Sequence, residues 1–275
     1  MWLSVTVSMW VVAFLGVVWL FARRREGAWQ RQVAPLCKES ALVFLIYATW
    51  RKLGAVTLVG TGDAYGRGRW VWHVERWVHL PNEATLQRWA LHATWFIRFM
   101  NTYYIVFHVA PLGIFLVWLY VRHRDSFAHW RNQLAFVSIV CQCILFIPLA
   151  PPRFFPNFGF VDTAARYGPS VYHSDGFQDP GQLAAMPSMH VAWAMLVGIG
   201  TVSVSRSRWR WIGAAHTVFT VLAVTLTGYH WLLDGIVATA VLLVGMATAA
   251  WWNRQRTRTV DEPPLELADQ LADAT

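Results

Sequence analysis

The chain has 275 residues, of which 56% are hydrophobic and 14% are charged. A soluble domain typically carries about 25% charged residues, so this composition argues against a soluble globular protein and indicates an integral membrane protein. The net charge of +8 is explained by membrane orientation rather than by nucleic-acid binding, and we expect no nucleic-acid partner. Three cysteines, two of them close together in an apolar run, support neither a disulfide framework nor a thiolate zinc site.

Apolar segments that could cross a bilayer follow one another along the chain. A spanning helix needs about 20 mostly apolar residues. About seven segments approach that length, and they run over 2–22, 41–59, 102–121, 133–150, 187–204, 211–228 and 231–252. We therefore predict an all-α integral membrane protein with about seven transmembrane helices, in which residues 1–25 form a retained N-terminal anchor.

The segments between the predicted spans differ in character. Tryptophans alternate with charged residues over 66–100, which is typical of amphipathic helices lying in the membrane interface. The loop 151–186 is long and rich in Pro and Gly, and loops of this kind in compact proteins are often functional. The residues 256–275 are acidic and are predicted to form a disordered tail.

Arginine clusters in the short connections and before the tail, which predicts that those segments are cytoplasmic. The N-terminus and the loop 151–186 then face outward, in a multi-pass protein of the cell membrane.

A first polar cluster lies where the fifth apolar segment begins. Pro187 followed by Ser188 is typical of a helix start, because Pro is favoured at the first helical position. The free N–H groups and the positive end of the helix dipole make such a start a natural anion site. Ser188 adds a hydroxyl donor, and His190 lies two residues further along.

A second polar cluster lies at the start of the last apolar segment. His230 and Asp234 are four residues apart and therefore share one face of a helix. A carboxylate in that position can accept the imidazole N–H and leave the other ring nitrogen as a nucleophile or base. The predicted topology places both clusters on the outer side, where they would form a site for phosphoryl transfer.

These two clusters resemble the second and third signature motifs of the type 2 phosphatidic acid phosphatase superfamily, Pro-Ser-Gly-His and a His followed four residues later by Asp. The resemblance implies that His230 is the nucleophile that forms a phosphohistidine and that Asp234 orients it. It implies further that His190 is the acid for the leaving group and that Ser188 contacts the phosphate. Met189 stands at the usual glycine position of this phosphate-binding motif. The fold implied is a six-helix core, here over 35–255.

Other residues resemble the branch that contains the fungal inositol phosphorylceramide synthases. Pro-Pro-Arg ending at Arg153, a stretch like 159–163 and a Tyr-Tyr…His run are typical of that branch. The resemblance implies that Arg153 clamps the phosphate. Further substrate contacts are expected from residues in the same regions, namely Tyr104, His108 and Arg166.

Two cations of the usual superfamily pattern are replaced in this chain. Phe146 stands where the first motif usually carries a lysine, and Val224 stands where the third usually carries an arginine. Other cations must then take over their role, and we name Arg166 and Arg98 as the candidates.

We expect a membrane enzyme that acts on a lipid phosphoester or pyrophosphate through a phosphohistidine, without a cofactor or metal. It would transfer the phosphoryl group or the phospho-headgroup to a hydroxyl acceptor. The alternative is a lipid phosphate phosphatase that uses water as acceptor. Less favoured alternatives are a zinc hydrolase built on the two histidines and the aspartate, and a transporter without catalytic activity.

Overall fold

The computed structural model describes residues 3–57, 62–107, 109–168 and 180–261. In these ranges the protein is all-helical and contains no β-strand. The helices are α1 (Val5–Ala22), α2 (Ala34–Thr57), α3 (Ala64–Trp77), α4 (Glu83–Leu91), α5 (Thr94–Val106), α6 (Ala110–Arg122), α7 (Arg124–Ile144), α8 (Thr163–Tyr167), α9 (Met189–Val204), α10 (Trp211–Leu226) and α11 (Leu232–Asp261). A π-helical turn over Trp29–Val33 leads into α2.

Three helical segments are long and apolar enough to cross a membrane, namely Val5–Ala22, Trp29–Leu53 and Leu232–Arg256. Helices α5 and α6 would form a fourth if they are counted as one span bent by 49°. An integral membrane protein is thus supported, whereas the seven predicted spans are not confirmed. The remaining predicted spans coincide with helices α7, α9 and α10, which fall short of the length or hydropathy of a span.

Some predicted boundaries differ from the observed ones. The segment predicted to span 133–150 is helical over Arg124–Ile144, because Pro148 and the prolines after it cannot continue a helix. Helix α11 continues to Asp261, past the predicted start of the tail at residue 256, and residues 262–275 lie outside the described ranges.

The N-terminal helices form a hairpin against the rest of the protein. Ser4 caps α1 by accepting a hydrogen bond from the Val7 N–H, and α1 packs along α2. Helix α2 packs in turn against α7, where Glu39 pairs with Arg131. The predicted anchor is therefore a helix whose main contact is with α2.

The main core lies among α6, α7, α9 and α11. Its buried apolar side chains come from all four helices, and Trp193 adds a hydrogen bond from Nε1 to the Ser138 hydroxyl, 3.0 Å away. Between helices in a membrane, such contacts stabilise through close van der Waals packing and interhelical hydrogen bonds. This core holds α9 and α11 side by side, so that their first turns lie near each other.

Residues 66–100 form α3, α4 and the first half of α5. Four tryptophans of this region are largely exposed, Trp70, Trp77, Trp89 and Trp95. Buried on the opposite side are polar residues that include Glu75, Glu83 and Gln87. The amphipathic character predicted for this region is therefore present, with its polar residues turned partly inward.

Candidate active site

The first turn of α9 is tied to the first turn of α11. Ser188 is the N-cap of α9, and its Oγ accepts a hydrogen bond from the Val191 N–H at 3.3 Å. The Ser188 N–H donates to the Asp234 carbonyl oxygen, 3.2 Å away. The structure therefore brings together the two clusters that the sequence places more than forty residues apart.

Met189 contributes to the core rather than to the polar side of this turn. Its side chain is buried in the apolar cluster that contains Leu116 and Trp193. The predicted role of Met189 in phosphate binding is thereby limited to its backbone N–H, since a thioether offers an anion no donor.

A tight turn between α10 and α11 sets the position of His230. Gly228 has a φ of +71°, a conformation that favours glycine. The N–H groups of Tyr229 and His230 both donate to the Val224 carbonyl oxygen, at 3.1 and 3.3 Å. The Arg153 N–H donates to the Gly228 carbonyl oxygen at 3.0 Å, which holds the Pro-Pro-Arg segment beside the histidine turn.

The His230 imidazole is oriented by a backbone carbonyl. Its Nδ1 lies 2.7 Å from the Ala185 carbonyl oxygen. Ala185 is itself positioned by its N–H, which donates to the Leu149 carbonyl oxygen at 3.3 Å. A carbonyl oxygen can only accept, so Nδ1 carries the proton and Nε2 keeps its lone pair. The ring therefore presents a nucleophilic nitrogen on its far side.

Asp234 lies beside the His230 ring and also caps the helix that follows it. Its Oδ2 lies 3.5 Å from His230 Nδ1, which is too long for a hydrogen bond. The same oxygen accepts the Trp231 N–H at 2.8 Å and so caps the start of α11. The orientation of His230 by Asp234 stays a prediction, and the Ala185 carbonyl oxygen lies closer to Nδ1 than the carboxylate does. Asp234 remains close enough to stabilise positive charge on the ring.

We expect Asp234→Asn to lower kcat by about 10- to 100-fold, as the loss of one ionic contact to a charged ring predicts. The asparagine oxygen still accepts the Trp231 N–H, so the melting temperature should stay near that of the wild type. Initial rates and thermal unfolding of the purified variant measure both effects. If Asp234→Asn lost as much activity as a variant without His230, that result would contradict the conclusion that the Ala185 carbonyl fixes the tautomer of the imidazole.

Burial lowers the pKa of His230 to about 4, and the positive charge of Arg153 lowers it further, whereas the hydrogen bond to Ala185 acts in the opposite direction. The imidazole is therefore neutral at physiological pH. A neutral ring is the form that attacks phosphorus, so the site is in its reactive state without a preceding proton transfer.

His190 faces His230 across a short gap. The centroids of the two rings are 5.6 Å apart, with an angle of 55° between the planes. The His190 ring also stacks on Tyr104, at a centroid distance of 4.1 Å. Tyr104 therefore contacts one of the two histidines, as a residue near the predicted site should.

Arg153 is buried beside the histidine turn. Its guanidinium carbon lies 4.1 Å from the centroid of the Tyr229 ring, and its Nη2 donates to the Gln182 side-chain oxygen at 3.3 Å. Asp162 lies 3.8 Å from its Nε. A buried guanidinium next to a neutral imidazole is suited to holding the phosphate that the imidazole attacks.

The comparison with known families agrees with this geometry. A family model described as the PAP2 superfamily matches residues 69–248, which is more than half of the chain. The chain belongs to the PAP2 superfamily. Searches of curated proteins and of solved structures returned no significant match. The matched range contains every predicted site residue, whereas α1 and α2 precede it.

Membership in the PAP2 superfamily supports a phosphatase- or phosphotransferase-type enzyme that acts on lipid phosphates. The predicted superfamily is therefore confirmed. The zinc alternative gains no support, because the described residues contain no group of three His, Cys, Asp or Glu side chains arranged to hold a metal ion.

Two of the predicted accessory residues are exposed arginines, and a third lies outside the described residues. Arg166 is exposed on α8, where its guanidinium lies over the Tyr167 ring. Arg98 is exposed on α5. His108 lies outside the described residues. That these arginines replace the two cations that the superfamily pattern usually carries stays a prediction.

Two buried glutamates accept hydrogen bonds from the start of α11, and neither was predicted from the sequence as a site residue. Glu83 on α4 accepts the Leu232 N–H at 3.2 Å, and Glu75 on α3 accepts the Leu233 N–H at 2.8 Å. With the Asp234 cap, three successive N–H groups at the start of this helix donate to carboxyl oxygens. Their presence on tryptophan-rich amphipathic helices was the available signal.

Glu75 is protonated at neutral pH. Burial raises the pKa of Glu75 to about 9, and its hydrogen bond to Glu83 and the charge of Glu83 act in the same direction. A glutamate with the ordinary pKa of 4.5 loses its proton far earlier in the unfolded chain. Protonated Glu75 therefore makes its full contribution to the stability of the folded protein below pH 4.5. That contribution is lost as the pH rises toward about 9.

We expect Glu75→Gln to remove this loss of folding stability at high pH, because glutamine still accepts the Leu233 N–H and does not ionise. Its melting temperature at pH 9 should exceed that of the wild type by about 2–4 °C or more, which corresponds to roughly 1 kcal/mol in a chain of this size. Thermal unfolding between pH 5 and 9 measures the difference, and the exposed Glu26→Gln is the matched control. Parallel pH dependences of wild type and Glu75→Gln would contradict the prediction.

Proposed function

We propose that this PAP2 enzyme is a phosphotransferase of the inositol phosphorylceramide synthase-like kind, working on the outer side of the membrane. It would take the phospho-headgroup from a lipid phosphodiester and pass it to the hydroxyl group of a second lipid. The observation that carries the proposal is the fixed tautomer of His230, which directs Nε2 away from the Ala185 carbonyl as a nucleophile.

In the first half-reaction, His230 Nε2 attacks the phosphorus and forms an N–P bond. The bond from phosphorus to the oxygen of the lipid alcohol breaks, and protonated His190 gives its proton to that oxygen. The product is a neutral lipid alcohol, and the headgroup phosphate stays on His230. Arg153 balances the charge on the non-bridging oxygens, which is the largest contribution to catalysis in reactions of this kind.

In the second half-reaction, the roles of His190 and the alcohol are reversed. His190, now neutral, takes the proton of the acceptor hydroxyl as its oxygen attacks phosphorus. The N–P bond breaks, which returns the electron pair to His230 Nε2 and regenerates the starting enzyme. Asp234, 3.5 Å from His230 Nδ1, lowers the energy of the positively charged ring that exists between the two steps.

The charge of the site favours a phosphodiester donor. Val224, at the position of the usual arginine, lies in an apolar cluster with Tyr104, Val191 and Tyr229. Phe146, at the position of the usual lysine, is largely exposed. A phosphomonoester carries up to two negative charges, and a diester carries one. A site in which Arg153 is the cation identified beside His230 suits the singly charged substrate better.

The proposal is tested with purified full-length protein and two labelled lipids, phosphatidylinositol and phosphatidic acid, each carrying ³²P. We expect phosphatidylinositol to label the protein on His230 and, when ceramide is added, the label to move into a new lipid. Release of inorganic phosphate from phosphatidic acid, with no labelled lipid formed from either donor, would instead establish the alternative, a lipid phosphate phosphatase.

A further inference from the structure

Four side chains from four segments of the chain form one continuous stack at the site. The His190 ring stacks on Tyr104 with centroids 4.1 Å apart and planes 20° apart. Tyr104 stacks on Tyr229 at 4.2 Å and 4°. The Arg153 guanidinium carbon lies over the Tyr229 ring at 4.1 Å. The stack thus runs from the proposed acid to the proposed phosphate-binding arginine.

The order of the four groups follows from ring geometry. A flat ring has two faces, and two groups that each lie about 4 Å above it cannot occupy the same face. His190 and Tyr229 must therefore cover opposite faces of Tyr104, and Tyr104 and Arg153 must cover opposite faces of Tyr229. Both tyrosines are buried, so water does not compete for these faces.

The stack is also connected to the nucleophile. Tyr229 directly precedes His230, and the N–H groups of both residues donate to the same carbonyl oxygen of Val224. The His190 ring, at the other end of the stack, lies 5.6 Å from the His230 ring. A shift of either tyrosine ring would therefore change the position of the acid or of the arginine relative to Nε2.

We propose that Tyr104 and Tyr229 are positioning residues, whose stacked rings hold the His190 imidazole and the Arg153 guanidinium in place around His230. The inference rests on the proposed function, which assigns His190 the role of acid and Arg153 the role of phosphate-binding residue. Stacked aromatic pairs and a desolvated guanidinium over a ring have defined preferred geometries, which an aliphatic side chain of equal volume lacks.

The two tyrosines should affect different kinetic constants. His190 acts on the leaving oxygen only as the P–O bond breaks, so Tyr104→Met should lower kcat by about 10²-fold and leave KM near its wild-type value. Arg153 binds the phosphate before and during reaction, so Tyr229→Met should raise KM as well as lower kcat. Tyr104→Phe and Tyr229→Phe keep the rings and should retain most of the activity.

The matched control is Tyr103→Met. Tyr103 lies next to Tyr104 on α5 and is equally buried, but it stacks on Phe107 and contacts His216 instead. Steady-state kinetics of the full-length protein in lipid nanodiscs, with ³²P-phosphatidylinositol as donor and ceramide as acceptor, are compared for all five variants. Thermal unfolding gives the folded fraction, to which each rate is normalised, and Leu variants replace any Met variant that does not fold.

Two results would overturn the inference. One is that Tyr104→Met and Tyr229→Met have the same kcat and KM as Tyr103→Met, which would reduce the stack to ordinary packing. The other is that the Phe variants lose as much activity as the Met variants, which would assign the effect to the hydroxyl groups. Failure of the proposed function is distinguished separately, because the wild-type protein would then form no labelled lipid from phosphatidylinositol and ceramide. The same variants are in that case compared by release of inorganic phosphate from ³²P-phosphatidic acid.

Discussion

His230→Asn should abolish turnover, with a loss of kcat of about 10⁴-fold or more, since removal of a nucleophile leaves only binding and charge stabilisation. The asparagine can still donate a hydrogen bond to the Ala185 carbonyl, so the fold around the loop should be preserved. The variant should also fail to form a covalent intermediate. Incubation with ³²P-phosphatidylinositol, followed by denaturation in alkali to preserve an N–P bond, measures that intermediate directly.

The control for this variant is His216→Asn, which changes a histidine on α10 that contacts Tyr103 rather than the site. It should retain both turnover and labelling. Residual labelling of His230→Asn at another residue would show that a different side chain attacks phosphorus, and it would overturn the assignment of the nucleophile.

Arg153→Ala should lower kcat/KM by about 10²- to 10³-fold, the effect of removing one group that stabilises developing charge. Arg153→Lys should recover little of this loss. A lysine ammonium cannot reproduce a flat guanidinium that lies over the Tyr229 ring while it donates to Gln182. Initial rates over a range of donor concentrations separate the contributions to kcat and KM.

Arg166→Lys and Arg166→Ala are the matched pair on the same loop, because Arg166 is exposed and its guanidinium lies over the Tyr167 ring. Both should keep activity close to that of the wild type. If Arg166→Ala were as damaging as Arg153→Ala, the phosphate would be held by the outer loop and not by the buried arginine.

The pairing of the two histidine motifs was predictable because each has a strong local signal. Pro-Ser before an apolar run marks a helix start, and the spacing of His230 and Asp234 places them on one helical face. Since both helices start on the same predicted side, their approach followed from topology alone. The structure adds the contact between Ser188 and Asp234 that joins them.

The partner of the imidazole could not be predicted, because it is a backbone atom. The Ala185 carbonyl reaches His230 through the pairing of Ala185 with Leu149, and neither residue type carries a signal for this contact. Sequence reasoning therefore assigned the proton to Asp234, the only side-chain acceptor at the right spacing. Contacts made by the main chain follow from tertiary structure, which composition and spacing do not encode.

The number of spans was predicted less well than the positions of the helices. Helices occur near all seven predicted segments, yet only α1, α2 and α11 lie in segments that satisfy the length and hydropathy of a span outright. The third predicted span is divided between α5 and α6, which meet at an angle of 49°. An apolar run shows that a segment is buried in lipid or protein, and it does not distinguish the two.

Glu75 and Glu83 fasten the catalytic turn to two helices whose tryptophans project outward. Those indole rings are the part of the molecule suited to resting among lipid headgroups. The helices that carry these tryptophans are consequently joined to the turn that carries His230 by two glutamate side chains. We expect changes in lipid packing around the tryptophans to reach His230 through this linkage.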